Sequence, residues 1–195
     1  MARTYAMENL TYRTAGLIDD ILREGAHDGA AVARSFEEYA VEASIAKVGG
    51  TEVLDEALRA VSAFKKVVLM VLGTAMQTYG QTLNDEQEIL GYAADIMVGT
   101  YAAKSAVLLA RAAAAAPTPH ADLHEAAART FVNDAAQRVD GAARNALAAM
   151  AEGDTLRVLL AALHRILKVA PINTVTLRRR LADALVARGR YILES

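Results

Sequence analysis

Apolar residues recur along this chain at intervals of three and four, and the pattern predicts seven helical segments and no strand. The first covers about 4–23, with Leu10, Leu17, Ile18, Ile21 and Leu22 on one side. The second covers about 28–48, where Phe36, Tyr39, Ala40, Ala43 and Ala46 share a face. Gly49-Gly50 closes it, and Thr51 is suited to cap a third helix that ends near Tyr79 or Gln81. The centre of that helix, Val67-Val68-Leu69-Met70-Val71-Leu72, is apolar all round, which predicts burial on most faces. Asn84-Asp85 reads as the cap of a fourth helix, with Glu86 and Glu88 near the positive end of its dipole. It carries Ile89, Leu90, Ala93, Ile96, Met97, Tyr101, Leu108 and Leu109, and fades into the alanine run before Pro117.

Pro117-Thr118-Pro119 is the clearest break. A fifth helix follows over about 121–151, and Glu152-Gly153-Asp154 separates it from a sixth that runs to Lys168. Pro171-Ile172-Asn173 turns the chain into a seventh, from Thr174 to about Arg188. Long helices joined by short turns predict an all-α antiparallel bundle.

Composition narrows the class. Alanine, the best helix former, is used heavily, and only three prolines occur. The chain has 195 residues, 54% hydrophobic and 23% charged, enough for one sizeable core. With no cysteine there is no disulfide, thiolate nucleophile or thiolate metal site. The acidic Glu8 and the lack of an apolar run after it do not read as a signal peptide, and the dense run Val67 to Met76 is too short to span a bilayer. A soluble, cytoplasmic protein is expected. The net charge of −2 hides an asymmetry: residues 1–56 hold eleven acids against five bases, and residues 153–195 hold three against eight.

Several stretches resemble the acyl-CoA dehydrogenase family. The run from Glu38 through Lys47-Val48-Gly49-Gly50-Thr51-Glu52 to Glu56-Ala57-Leu58 is similar to its helical C-terminal region. In the family a comparable E-A-L opens into Q-I-H-G-G-x-G and a loop with E-G-T and T-N-E-I, whereas here Arg59-Ala60-Val61-Ser62-Ala63-Phe64 follows Leu58. Ala6-Met7-Glu8-Asn9-Leu10-Thr11-Tyr12-Arg13-Thr14-Ala15-Gly16-Leu17 resembles the preceding family helix. Ala93-Ala94-Asp95 with Tyr101-Ala102-Ala103-Lys104-Ser105-Ala106 resembles the extra C-terminal domain of the very-long-chain branch. Residues 153–168 and Leu177-Arg178-Arg179-Arg180-Leu181-Ala182 look like the tail of its bacterial members.

The resemblance divides the chain into residues 1–58, like the family's C-terminal helical domain, and 59–195, like the extra domain, packed as one unit. It implies FAD-dependent α,β-dehydrogenation of fatty acyl-CoA by full-length relatives, in which a carboxylate takes the α-proton and the flavin the β-hydride. No carboxylate here matches that base, and the flavin contacts are missing, so no catalytic residue is assigned. The chain alone is expected to hold no cofactor. Expected partners are a second copy or the missing flavin-binding domains. An enzyme completed by another chain, and a free-standing helical interaction protein, are the alternative readings.

Other constellations carry less. Glu24 and His27 have the E-x-x-H spacing of di-iron bundles but lack a second motif. His120 and His124 are four apart at what reads as an exposed helix start, with no third ligand, so no metal site is assigned. Glu38, Glu42, Asp55 and Glu56 read as a solvated acidic face, and no glycine-rich phosphate cradle occurs. The basic residues Arg157, Arg165, Lys168, Arg178, Arg179 and Arg180 form the remaining candidate, a surface for an anionic partner or the inner face of a membrane. Without a stacking set of aromatics, nucleic acid is not expected.

Overall fold

In a computed structural model, residues 52–115, 120–189 and Leu193 are described. They form five α-helices and one 3-10 helix, with no strand among the described residues. Helix α1 is Glu52–Tyr79, α2 is Gln87–Ala115, α3 is Ala121–Met150, α4 is Gly153–Ile166 and α5 is Thr174–Arg188. The helices expected over about 4–23 and 28–48 lie outside the described residues.

The first three helices have 28, 29 and 30 residues, each about 42–45 Å long at 1.5 Å per residue. Each of the three packs against the other two. Alanine explains how closely α2 and α3 approach. Ala93, Ala102, Ala103, Ala106 and Ala110 of α2 are buried, as are Ala126, Ala127, Ala135, Ala143 and Ala146 of α3. With no side chain beyond Cβ on the facing positions, the axes draw together. At Gly99 an added Cβ would make ordinary van der Waals contact with Val139 Cγ2, at 3.9 Å. Larger side chains fill the space towards α1: Leu54, Phe64, Val67, Ile96, Val107, Val139 and Leu147 are fully or almost fully buried. Hydroxyls inside the bundle are satisfied one turn back, Thr100 donating to the Ile96 carbonyl at 2.7 Å and Thr130 to that of Ala126 at 2.8 Å.

Two expectations are corrected here. The centre of α1 is not buried on most faces, since Leu69 is 71% exposed and Met76 also faces out. Among the described residues α1 packs mainly on α2 and α3 with a smaller contact to α4, and Lys65, Leu69 and Met76 lie exposed. The more enclosed helix is α2, whose stretch 102–107 is buried except for half-buried Lys104. Among the described residues, helix α2 and not the run Val67 to Met76 is long and apolar enough by composition to cross a membrane; half of that window is buried inside the bundle. The second correction is the start of α2. Asn84 and Asp85 belong to the 3-10 helix Gly80–Asp85, and the Glu86 carbonyl receives the first helical bond, from Leu90 N–H at 3.1 Å. Gly80, at φ +54°, makes the left-handed turn that ends α1.

Helix α4 turns back across α3 and touches α1, while α5 lies on α3. Gly153 (φ +55°) starts the first and Gly189 (φ +66°) closes the second. Asn173 caps α5, its Oδ1 accepting from Thr176 N–H at 3.2 Å. The boundary drawn at Leu58 falls inside α1, where Leu54 and Ala57 are buried in the same core as Val61 and Phe64.

Candidate functional site

Helix α3 is the element that arranges the basic C-terminal residues. Its Asn133 Oδ1 accepts from Ile172 N–H at 3.1 Å, which pins the turn between α4 and α5 to its side. Asp134, the next residue, accepts from Arg178, whose Nη2 lies 2.7 Å from Oδ1 and 2.6 Å from Oδ2. Asp122, three turns earlier, receives Arg180. Arg188 Nη1 lies 2.5 Å from His120 Nε2, beside the start of α3. Of the Arg178-Arg179-Arg180 triplet, two members therefore hold α5 on the bundle. Arg157 pairs with Asp154 at the first turn of α4, both far out in solvent. Arg165, Lys168 and Arg179 are exposed. The six residues do not form one patch of free charge.

The structure gathers a different set. A cleft of about 580 Å³ opens between the first half of α1, the middle of α3 and the segment linking α4 to α5. Ala57, Ala60 and Val132 at its base are buried, and Ile166, Val169 and Ile172 are half-buried beside them. Arg59, Lys66, Arg129 and Lys168 line it as well, against a single acid, Glu56. Lys168 alone belongs to the set picked from sequence. Arg59 and Lys66 escaped notice because they belong to a helix remote in sequence from the basic C-terminus. Their seven-residue spacing along α1, with Glu56 three residues before Arg59 and Ala63 three before Lys66 on the same face, was the available signal.

The histidines behave differently from the exposed pair expected. His124 is 4% exposed, one turn inside α3, while His120 sits before the helix in a left-handed conformation at φ +83°. Burial lowers the His124 pKa below its ordinary 6.5, and the neighbouring His120 adds to the shift. Among the described residues no group of three or more His, Asp or Glu side chains is placed to hold a metal ion. Asp55 is a structural partner rather than part of a solvated face: it is ion-paired with Arg111, near the end of α2. Glu56 is exposed, and Glu24, His27, Glu38 and Glu42 lie outside the described residues.

Among the described residues the positive-φ glycines, 80, 153 and 189, stand singly at three separate helix boundaries, so they form no glycine-rich phosphate loop of the kind found at a helix start.

Comparison with known proteins settles the class. The model of the acyl-CoA dehydrogenase C-terminal domain matches residues 63–165. A probable acyl-CoA dehydrogenase of Bacillus subtilis (strain 168) is 27% identical over 280 residues, covering 97% of this chain and 47% of the relative. The crystal structure of an acyl-CoA dehydrogenase complexed with FAD from Bacillus anthracis superposes with a TM-score of 0.70 at 30% identity, covering 84% of this chain and 29% of that one. This chain belongs to the acyl-CoA dehydrogenase family, and its matched region is the C-terminal domain. It spans about half the length of the curated relative and less than a third of the solved chain. The 280-residue match exceeds the 195 residues available here, so at least 85 of the relative's residues, inside the matched region, face no residue of this chain.

Proposed function

We infer that this chain is a helical C-terminal module of an acyl-CoA dehydrogenase that does not dehydrogenate acyl-CoA by itself. The observation that carries the reading is that internal gaps against the B. subtilis relative total at least 85 residues. Only internal gaps lengthen a match beyond the chain that is matched. The resemblance puts a gap directly after Leu58, where the family's glycine-rich flavin contact and catalytic-glutamate loop are expected. Helix α1 runs straight through that point from Glu52 to Tyr79, so the residues on either side share one rod and one core. Such a module supplies packing surface to flavin-binding domains or to a second copy. Exposed Arg165, Lys168 and Arg179 are the part of the predicted basic set with no carboxylate partner among the described residues, and they are the surface left for an anionic partner.

The test is dye reduction by the purified chain with excess FAD and saturated acyl-CoAs of several lengths. The reading expects no acyl-CoA-dependent reduction above buffer. Turnover by the chain alone would overturn it.

A further inference from the structure

We propose that the cleft between α1, α3 and the segment after α4 binds a small anionic amphiphile, with the anionic head among Arg59, Lys66 and Lys168 and the apolar arm on Val132 and Ile166. The proposal does not depend on whether the chain has catalytic activity. At about 580 Å³ the cleft has the size of a small-molecule site, and its base is apolar. The charge on its walls is one-sided, with four cations against Glu56. Arg129 is 3.5 Å from Glu125 and so is partly neutralised. Among the described residues, no carboxylate lies within ion-pair distance of Arg59, Lys66 or Lys168. Cations around a concave apolar surface focus an attractive field on an incoming anion. An uncharged apolar ligand leaves that field unused, and a bare anion leaves the apolar base wet. The shape is also held from behind. Asn133 fixes the Ile172 amide, and Ile166 and Val169 stand on the two sides of Lys168 in the segment leading to it.

The test uses the full chain and isothermal titration with octyl phosphate kept monomeric, beside octanol, inorganic phosphate and phosphatidylglycerol vesicles. Octyl phosphate is expected to bind about tenfold more tightly than octanol or inorganic phosphate. The double variant Lys66→Gln/Lys168→Gln is expected to weaken it by about tenfold. Ser62→Trp, an exposed position on the cleft wall, is expected to weaken it with every charge in place. Arg144→Gln, outside the cleft and paired with Asp140, is expected to leave it unchanged. Equal binding of octanol, a double variant within twofold of the parent, or binding to vesicles with none to monomeric octyl phosphate would each overturn the proposal.

Discussion

Replacing Asp55 with alanine leaves the Arg111 guanidinium inside the bundle without its counter-ion. The Arg111 side chain is 8% exposed and that of Asp55 46%, and Arg111 Nε already has no hydrogen-bond partner. A fully buried pair broken from one side costs roughly 3–5 kcal/mol. Asp55 is half in water, so solvent screens part of that and the expected loss is about 1.5–3 kcal/mol. Arg111→Met behaves differently. It removes the buried charge and the orphaned Nε together and keeps an apolar side chain of similar reach, at an expected cost below about 1.5 kcal/mol. Asp55→Asn, which keeps an acceptor without the charge, is expected to fall between the two. Urea unfolding followed by helical circular dichroism gives the three midpoints, and an unchanged slope shows that the same surface unfolds in each. An Arg111→Met variant destabilised as much as Asp55→Ala would refute the reasoning, because the ion pair would then contribute net stability rather than mask a buried charge.

The other predictions concern α3, the core of α1 and the glycines. His124, whose pKa is lowered by burial, stabilises the fold above its unfolded pKa near 6.5, and that contribution is lost as pH falls through the lower folded value, so unfolding midpoints decline below about pH 6.5 and His124→Gln flattens the decline. Asn133→Ala removes the acceptor of the Ile172 amide and costs about 1–3 kcal/mol, with faster hydrogen exchange at Ile172 and along α5, whereas Asn133→Asp retains most of the protection. Phe64→Ala empties a fully buried site on α1 and costs roughly 3–5 kcal/mol in denaturant unfolding. Gly73→Ala and Gly91→Ala, with nothing within 4 Å of the new methyl, each stabilise by roughly 0.5–1 kcal/mol in thermal unfolding, while Gly189→Ala, at φ +66°, destabilises.

Much of the helical frame was legible because its signals are local. Glu52, Ala121 and Thr174 begin helices where turn residues and apolar spacing place them, and Arg188 ends the last one ahead of Gly189. Packing was less legible. Apolar density marked the centre of α1 for burial, yet Leu69 faces water because nothing described covers that side. The enclosure of α2 rests on alanines, which carry little hydrophobic signal individually but permit close approach on several faces. The Asn84-Asp85 cap failed because a 3-10 turn took those residues, a competition that composition alone does not decide. The engagement of the basic set was hidden for a related reason: Asp122 and Asp134, more than forty residues upstream in sequence, hold Arg180 and Arg178. The cleft cations were missed because Arg59 and Lys168 meet only in the folded chain. Family membership was legible from the ordered stretches around Leu58, Tyr101 and Arg178.

The central claim is that the chain has the family's C-terminal helices without its flavin chemistry. Its most direct test is the visible absorption spectrum of the purified chain, titrated with FAD and then, without oxygen, with a long-chain acyl-CoA. The account predicts a spectrum of free FAD, removed by gel filtration and unchanged by acyl-CoA. Retained flavin that bleaches on adding acyl-CoA would contradict it.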